Sequence, residues 1–205
     1  MFKKTFDFLI SFLGLIFLSP ILIITSIFSI IFQGFPVLFL HKRLGKDGVV
    51  FTMVKFRTMT VGPSISANHD ISRLTRWGRF LRKTSIDELP VLFNVIKGEM
   101  SLVGPRPLPV KYLPRFNSSQ KKRMDVKPGI TGLAQVNGRN QLSWEDRFSY
   151  DIEYTTKKSF FLDLRIIIKT LFIVLFRKNV ESESQEIMPE FFGNNRGSLA
   201  DKSEE

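Results

Sequence analysis

A long apolar run dominates the N-terminal part of the chain. From Phe8 to Leu40 there are 33 residues without an Asp, Glu, Lys, Arg or His, whereas a membrane helix needs only about 20 apolar residues. A secretory signal has a shorter apolar core and a small-residue cleavage site, and the aromatic residues up to Phe39 extend too far for one. The pattern therefore predicts a membrane helix that remains in the mature protein.

The course of this helix relative to the membrane has two interpretations. Ser19 and Pro20 lie near the middle of the run, and a proline there removes a backbone hydrogen bond and kinks or breaks the helix. Two limbs of about a dozen residues, each roughly 18 Å long, would then enter and leave the same leaflet. An ordinary kinked transmembrane helix is the alternative. Basic residues on both sides of the run favour a cytoplasmic position for both ends, namely Lys3, Lys4, Lys42, Arg43 and Lys46.

A second pattern, with a period of two, occurs from Phe51 to Met59. The segment is rich in β-branched and aromatic residues, which predicts a β-strand. The alternation places Lys55 and Arg57 on one face of this strand. Two cations on one face suit a bound phosphate, and they equally suit a face turned to solvent.

Two further segments have the pattern of helices at a membrane surface. Asp70 to Lys83 is apolar on one side and basic on the other, with Arg82 among the cations, so it either lies on an anionic membrane or packs onto the domain. Ser159 to Phe176 is strongly apolar but carries three charged residues, which favour an interfacial or buried helix over a second membrane span. These charged residues are Asp163, Arg165 and Lys169.

Two loops that are rich in proline and glycine each carry an arginine. Lys97 to Pro109 contains three prolines and two glycines, which restrict the backbone around Arg106. Lys127 to Asn140 has the same style, with a turn, a short strand and a second turn, and Arg139 lies near its end. A guanidinium on a stiff loop is well suited to bind phosphate because little conformational entropy is left to lose.

Length and charge divide the chain into three parts. The 205 residues allow one domain and an appendage, and we assign residues 1–40 to the membrane helix, 41–178 to a compact domain and 179–205 to an acidic tail predicted to be disordered. The net charge is +11 in total, +1 in the first part and −5 in the last, which leaves +15 for the domain. Such a domain is expected to bind an anionic partner, whether nucleic acid, phosphorylated molecules or a membrane.

The absence of cysteine excludes disulfides, thiolate metal sites and a cysteine nucleophile.

Two adjacent carboxylates, Asp87 and Glu88, follow a group of cations in this basic domain. They lie in the stretch TSIDELPVLFN at 84–94. One interpretation is structural, since Ser85 and Glu88 fit the S-x-x-E capping box and would place both acids at a helix N-terminus. The other interpretation is an active site. The spacing of these residues alone leaves both open.

A series of motifs in one order carries a resemblance to a known family. The motifs are Ser19-Pro20 within the apolar run, KFRTM at 55–59, SIDELPVLFNVIKGEMSLVGPRP at 85–107, KPGITGLAQVNGRN at 127–140 and FFLDLRIIIKT at 160–170. From the N-terminus to about Arg177 the chain resembles the bacterial sugar transferases, the small monotopic polyprenyl-phosphate phosphoglycosyl transferases. His41 stands where the family more often has Gln, and we assign no role to it.

The resemblance implies a reaction and roles for individual residues. A sugar 1-phosphate moves from a UDP-sugar to polyprenyl phosphate, such as undecaprenyl phosphate, with release of UMP. Asp87 would be the nucleophile that forms a covalent phosphosugar-aspartate, and Glu88 would hold the required Mg²⁺. Candidate phosphate-binding residues are Lys55, Arg57, Arg82, Arg106 and Arg139.

The resemblance also implies a fold and a location. We expect an α+β protein with a re-entrant membrane helix broken at Ser19-Pro20, a compact helical domain with short strands, and interfacial amphipathic helices. The domain would lie on the cytoplasmic face of a bacterial inner membrane, where it performs the first membrane step of glycoconjugate synthesis. The expected partners are the lipid bilayer, the UDP-sugar, polyprenyl phosphate and other glycan-assembly enzymes, but not nucleic acid.

Two other function classes remain as alternatives. A membrane-anchored basic protein could bind nucleic acid or anionic lipid without catalysis, but nucleic-acid binding does not explain an acidic pair among cations or two proline-stiffened arginine loops. A glycosyl transferase could move the sugar alone and release UDP instead of UMP. The identity of the released nucleotide distinguishes all three classes.

Overall fold

The computed structural model describes residues 2–62, 72–138, 141–176 and 190–193, and these residues mix helices with short strands, as the predicted α+β class requires. The α-helices are α1 (Phe2–Gln33), α2 (Arg76–Thr84), α3 (Leu92–Ile96), α4 (Ser118–Lys121), α5 (Leu133–Asn137), α6 (Trp144–Lys157) and α7 (Phe160–Phe176). The strands are β1 (Leu38–Leu44), β2 (Val50–Phe56), β3 (Ser101–Val103) and β4 (Gly129–Thr131). Short 3-10 helices cover Lys46–Gly48, Ile86–Val91, Val110–Arg115 and Lys122–Met124.

Helix α1 continues through Ser19 and Pro20, so the predicted break of the helix at this point is wrong. Pro20 has no N–H to donate to the carbonyl of Ile16. The hydroxyl of Ser19 donates a hydrogen bond to that same carbonyl at 2.7 Å. Because an unpaired carbonyl is costly in hydrocarbon, this hydroxyl replaces the bond that the proline removes.

Helix α1 is apolar and, at 32 residues, long enough to cross a membrane, yet it contacts the domain near both of its ends. Near its start, Asp7 accepts hydrogen bonds from the hydroxyl of Ser101 at 2.6 Å and from the N–H of Leu102 at 3.4 Å. Near its end, the indole N–H of Trp77 donates to the hydroxyl of Ser29 at 3.0 Å. Large apolar side chains remain exposed along the helix, including Phe8, Leu9, Phe12, Ile16, Phe17, Ile23, Ile27 and Ile31.

Two small sheets support the domain. Strands β1 and β2 form an antiparallel hairpin, in which Leu38 pairs with Phe56, and β2 matches the strand predicted from the period of two. Strands β3 and β4 pair in parallel. A Cβ atom on Gly129 would lie 2.0 Å from the backbone nitrogen of Gly104, so the loop after β3 approaches β4 this closely only because glycine stands there.

Three clusters of buried apolar side chains form the core. The first packs the chain after Arg106 onto β1 and α6, the second packs β2 against α3, and the third packs α6 and α7 onto β3. The buried members of the first are Leu44, Leu108, Tyr112, Phe116, Phe148 and Phe191, those of the second are Phe51, Met53, Val91, Val95 and Met100, and those of the third are Val103, Val136, Tyr154, Ile166 and Ile173.

Residues 190–193, within the tail predicted to be disordered, lie against the domain. Phe191 belongs to the first core cluster and is only 3% exposed. An aromatic side chain in this acidic stretch supplies apolar surface that the average composition of the tail conceals. Residues 177–189 and 194–205 lie outside the described residues.

Two other element boundaries differ from the predictions. Within the segment predicted to be helical from Asp70 to Lys83, helix α2 begins at Arg76, where the hydroxyl of Thr75 accepts the N–H of Gly78 at 2.8 Å, and Asp70 and Ile71 lie outside the described residues. The second turn predicted after β4 is the short helix α5 instead. Helix α7 agrees with the predicted apolar helix, and its outer face exposes Phe161, Leu171, Phe172, Leu175 and Phe176.

Candidate active site

The two adjacent carboxylates lie in the 3-10 helix Ile86–Val91, directly after α2. Ser85 has a left-handed φ of 60° and ends α2. Its hydroxyl makes no capping hydrogen bond to the next helix, whereas its carbonyl accepts the N–H of Glu88 at 3.3 Å. The capping-box interpretation of Ser85 and Glu88 is therefore wrong.

The side chain of Glu88 contacts two cations from different parts of the fold. Lys55, on β2, donates to Oε1 of Glu88 at 2.5 Å, and Arg106, on the loop after β3, donates to the same oxygen at 2.7 Å. The side chains of Lys55, Glu88 and Arg106 are 17%, 21% and 36% exposed. The cluster is therefore partly enclosed but can be reached from solvent.

Asn94 holds the segment that carries the carboxylates against β2. Its buried side chain donates to the carbonyl of Thr52 at 2.7 Å and accepts the N–H of Val54 at 3.1 Å. These two bonds attach α3 to the strand that presents Lys55. They therefore set the position of Glu88 relative to Lys55.

The backbone around Arg106 is held by a buried ion pair and by the neighbouring strand. Arg123 donates to the carbonyl of Arg106 at 2.7 Å and pairs with Asp151 at 2.7 Å. The side chains of Arg123 and Asp151 are only 3% and 2% exposed. The N–H of Gly129 donates to the carbonyl of Pro105 at 3.0 Å. These contacts agree with the expectation of a stiff arginine loop.

The two carboxylates differ in their electrostatic surroundings. Burial and the negative charge of Glu88 raise the pKa of Asp87 to about 6, against the opposing charges of Lys55, Arg82 and Arg106. Burial also acts to raise the pKa of Glu88, but Arg106 and Lys55 outweigh it and hold that pKa well below its usual range. Glu88 is therefore ionised at neutral pH, and Asp87 changes its charge near pH 6.

Arg82 completes the group of cations around Asp87. Its Nε donates to the hydroxyl of Thr58 at 3.1 Å, and its charge is among those that lower the pKa of Asp87. The structure thus brings Arg82 together with Lys55 and Arg106, as predicted for phosphate-binding candidates. The other candidate on a glycine-rich loop, Arg139, lies outside the described residues.

Arg57 contacts the membrane helix rather than the carboxylates. Its guanidinium donates to the carbonyl of Gln33 and, at 2.7 Å, to the carbonyl of Gly34, and the residue is 8% exposed. Carbonyls at the end of a helix lack intrahelical donors, so Arg57 satisfies the C-terminus of α1. The alternation that placed Arg57 beside Lys55 on one strand did not reveal this partner.

His41 lies close to Lys55 of the site and to two further cations. Burial and the positive charges of Arg43, Lys55 and Lys111 lower the pKa of His41 to about 4. Among the described residues, its buried Nδ1 atom has no hydrogen-bond partner. The imidazole is therefore neutral at physiological pH.

Sequence reasoning missed the residues that support the site, above all Asn94 and Arg123. A signal for Asn94 existed, because a single amide within the apolar stretch LFNVI is unusual in a buried helix and calls for hydrogen-bond partners. No comparable signal marked Arg123, which is one of many cations in a basic domain. Its role depends on Asp151, far away in the sequence.

The donor set suits Mg²⁺ when a phosphorylated substrate is present. Among the described residues no group of three His, Asp or Glu side chains could hold a metal by itself. Asp87 and Glu88 provide two neighbouring carboxylates, and Mg²⁺ commonly takes one or two from the protein and completes its shell with phosphate and water. Both cations that contact Glu88 use the same oxygen, Oε1.

Comparisons with known proteins identify the family. The family model described as bacterial sugar transferase matches residues 1–177. The chain is 45% identical over 193 residues to EpsL of Bacillus subtilis, named an uncharacterized sugar transferase, and the match covers 93% of this chain and 96% of that protein.

Two relatives carry more specific names. Identity is 38% over 194 residues to the undecaprenyl-phosphate galactose phosphotransferase of Salmonella typhimurium, covering 85% of this chain and 41% of that protein. It is 43% over 183 residues to the UDP-glucose:undecaprenyl-phosphate glucose-1-phosphate transferase of Klebsiella pneumoniae, covering 83% of this chain and 39% of that protein. The chain thus spans about two fifths of the length of these two relatives. With a family match over residues 1–177, the chain belongs to the bacterial sugar transferase family.

Proposed function

We propose that the protein is a phosphoglycosyl transferase that moves a sugar 1-phosphate from a UDP-sugar to polyprenyl phosphate and releases UMP. The observation that carries the proposal is the buried carboxylate of Asp87, which lies beside Glu88 among the cations Lys55, Arg82 and Arg106. The names of the Salmonella and Klebsiella relatives, which specify undecaprenyl phosphate with galactose or with UDP-glucose, support the same substrate classes.

The reaction proceeds in two displacement steps at one phosphorus atom. A carboxylate oxygen of Asp87 attacks the phosphorus that bears the sugar, the bond from this phosphorus to the UMP oxygen breaks, and UMP leaves. The product of this step is an acyl phosphate, a mixed anhydride that joins the Asp87 carboxylate to the sugar phosphate. An oxygen of polyprenyl phosphate then attacks the same phosphorus, the bond to Asp87 breaks, and the free carboxylate is restored. The two phosphorylated substrates therefore bind in turn rather than together.

The cations make attack by a carboxylate on a phosphate possible. Lys55 and Arg106 contact Glu88 in the free protein, and phosphate oxygens of the substrate can accept from the same donors. Such charge-assisted bonds neutralise the charge that accumulates during transfer. With a pKa of about 6, Asp87 is mostly ionised at neutral pH, as a nucleophile must be.

We propose Mg²⁺ as the cofactor, held by Glu88 next to Asp87. When bound, the ion supplies positive charge to phosphate oxygens of the substrate and of departing UMP. Because the pKa of Glu88 is held below its usual range, this carboxylate stays ionised and suits a metal ligand. The division of roles leaves Asp87 for the covalent step.

The contacts of α1 support a location of this site at one face of the membrane. Asp7 and Ser29 both contact the domain, and about 22 residues, or ~33 Å of helix, separate them. A helix that crossed the bilayer would carry one of these residues to the far side, away from the domain. We therefore propose that α1 is re-entrant as an unbroken helix that bends at Pro20, with Ser19 and Pro20 at its deepest point.

That course of α1 would place the domain on the cytoplasmic face of a bacterial inner membrane, where polyprenyl phosphate presents its phosphate. The product, a polyprenyl-diphosphate sugar, would then be extended by other glycan-assembly enzymes. A relative in Rhizobium meliloti is named an exopolysaccharide production protein. We propose the first membrane step of glycoconjugate synthesis as the role of this protein.

The test is to identify the nucleotide that the full chain releases. The protein in lipid nanodiscs is incubated with a panel of UDP-sugars, polyprenyl phosphate and Mg²⁺, and the products are separated by chromatography. We expect UMP together with a lipid-linked sugar diphosphate. Release of UDP would instead indicate transfer of the sugar alone. If no UDP-sugar in the panel yields either nucleotide, the membrane-anchored basic binding protein becomes the better interpretation.

A further inference from the structure

The segment of residues 190–193 is here called the tail segment, and the loop from Lys97 to Pro109 that carries Arg106 is called the arginine loop. The tail segment lies against the part of the domain that follows the arginine loop. It is outside the family match, which ends at residue 177. Phe191 is almost fully buried in this position. Its ring centroid lies 5.1 Å from that of Phe148, 5.3 Å from Trp144, 5.9 Å from Tyr112 and 5.9 Å from Phe116.

Polar contacts fix the tail segment in one orientation. The carboxylate of Glu190 accepts from Arg115 at 2.8 Å and from Lys111 at 2.7 Å. Arg115 also donates to the carbonyl of Phe191. The N–H of Phe191 donates to the hydroxyl of Tyr112 at 3.3 Å. Charge, backbone and ring contacts therefore all select the same docked position.

A first line of contacts joins Phe191 to the arginine loop through the first core cluster. Leu108 is a member of the same buried cluster as Phe191 and stands two residues after Arg106. The carbonyl of Leu108 accepts the N–H of Leu44 on β1 at 3.0 Å. Phe191 thus belongs to the same core cluster as a residue at the end of this loop.

A second line of contacts runs through the buried ion pair. The guanidinium of Arg123 lies 6.0 Å from the ring centroid of Phe116 and 5.8 Å from that of Phe148, and both rings contact Phe191. The same guanidinium donates to the carbonyl of Arg106. The rings that Phe191 packs against are therefore those that hold Arg123 under the arginine loop.

We propose that Phe191 is a positioning residue for Arg106, and that the docked tail segment holds the arginine loop in the geometry that binds substrate phosphate. This inference rests on the proposed role of Arg106 in phosphate binding. Removal of the Phe191 ring leaves a space in the aromatic cluster, so the rings that contact Arg123 and the cluster that contains Leu108 lose packing. The arginine loop then samples positions from which its guanidinium misses the phosphate.

The experiment compares Phe191→Ala with Phe192→Ala in the full chain. Phe192 is a matched control because it is the adjacent phenylalanine but is 48% exposed, with the Arg115 guanidinium 5.3 Å from its ring centroid. Hydrogen exchange of the peptide covering residues 104–116 is measured by mass spectrometry, and kcat and KM for the UDP-sugar are measured in parallel.

For Phe191→Ala we expect exchange in residues 104–116 to become at least about fivefold faster and kcat/KM to fall about tenfold, since small displacements of a positioning group are costly. Phe192→Ala should change either quantity by less than about twofold, and Phe191→Leu should restore most of the loss because it refills the cluster. If the alanine variant does not fold, Glu190→Gln tests the proposal instead, because it removes the charge that Arg115 and Lys111 contact and should make exchange in residues 104–116 faster in the same direction.

Two outcomes would overturn the inference. Unchanged exchange in residues 104–116 would show that Phe191 does not hold the loop, whatever happens to activity. Faster exchange with unchanged kcat/KM would show that the position of Arg106 does not depend on this packing. If the unmodified protein transfers no sugar phosphate at all, the proposed reaction is wrong, and the exchange data still decide whether Phe191 holds the loop.

Discussion

Asp87 and Glu88 are neighbours in the sequence, yet their surroundings shift their pKa values in opposite directions. A short 3-10 helix directs Glu88 toward Lys55 and Arg106. Asp87 remains in a buried position where the charge of Glu88 makes a second negative charge unfavourable. Groups whose environments separate their pKa values commonly divide the work of one site, which is the basis for assigning the nucleophile to one acid and the metal to the other.

The raised pKa of Asp87 predicts a pH dependence of activity. The carboxylate must be ionised to attack, and its pKa is about 6, so kcat/KM should fall about tenfold for each pH unit below that value. Arg82 lowers the pKa of Asp87, so Arg82→Gln should move this acidic limb to higher pH. A pH profile of both proteins checks the prediction, and a limb that stays at the same pH in Arg82→Gln would contradict it.

The proposed role of Glu88 predicts a changed response to Mg²⁺. Glu88→Gln keeps the size of the side chain but removes the ionised ligand, so the Mg²⁺ concentration that gives half-maximal activity should rise about tenfold or more. Glu153→Gln, which alters an acid on α6 that accepts an exposed hydrogen bond from Lys157, serves as the control. Magnesium titrations of UMP release provide the measurement. An unaltered Mg²⁺ requirement in Glu88→Gln would remove Glu88 as the metal ligand.

At the scale of elements, Asn94 joins the carboxylate segment to β2 through hydrogen bonds that no other described side chain supplies to Thr52 and Val54. Its own side chain is fully buried. A buried amide with all partners in place stabilises one arrangement of two elements, whereas a lost partner leaves a buried donor or acceptor unsatisfied. The register between Lys55 and Glu88 therefore depends on a residue that takes no part in chemistry.

Asn94→Ala should lower the free energy of unfolding by about 2–4 kcal/mol, since it removes a fully buried side chain and leaves the N–H of Val54 and the carbonyl of Thr52 without this partner. Asn137→Ala is the comparison variant, because Asn137 accepts one exposed hydrogen bond from Lys169 and should cost less than about 1 kcal/mol. Denaturant unfolding of both variants in detergent gives the two values. Equal destabilisation would argue against Asn94 as the connection between α3 and β2.

Elements with strong local patterns were predictable, and contacts distant in sequence were not. The strand around Lys55, the helix from Phe160 and the stiff loop at Arg106 followed from periodicity and from proline content. The break at Pro20 failed because one neighbouring hydroxyl, on Ser19, replaces the missing donor. The S-x-x-E spacing fits a capping box, and it fits the uncapped 3-10 helix after Ser85 equally well. Which of the two forms depends on tertiary contacts, which local spacing does not show.

Prediction of the candidate site residues had the same limit, because local patterns were informative and contacts distant in the sequence were not visible. The carboxylate pair and three of its cations came from motif resemblance and charge. Arg57 was placed beside them only because a strand alternates, and its actual partners are carbonyls at the end of α1. The buried position of Phe191 could not be predicted from composition, which averages over the whole tail.

At the scale of the whole molecule, the family and the transferase class inferred from the motifs are confirmed by the comparisons. The chain combines a basic domain with exposed apolar faces on α1 and α7. Contacts near both ends of α1 connect these faces to the domain. An arrangement of this kind suits a reaction between a water-soluble nucleotide sugar and a lipid phosphate.

The proposed re-entrant course of α1 predicts that both of its ends are accessible from the cytoplasmic side. The chain has no cysteine, so single variants Lys4→Cys and Lys42→Cys can be labelled with a membrane-impermeant maleimide in oriented membrane vesicles. We expect both to react from the cytoplasmic face, and Phe17→Cys, in the apolar centre, to react slowly from either face. Labelling of Lys4→Cys and Lys42→Cys from opposite faces would show a transmembrane helix.

The most direct test of the central claim is the intact mass of the protein after incubation with a UDP-sugar and Mg²⁺ in the absence of polyprenyl phosphate. The account predicts a covalent adduct with the mass of one phosphosugar, release of about one UMP per chain, and loss of the adduct when polyprenyl phosphate is added. Asp87→Asn should form no adduct and release no UMP. Near-normal turnover by Asp87→Asn, or an adduct on any other residue, would contradict the assignment of Asp87 as the nucleophile.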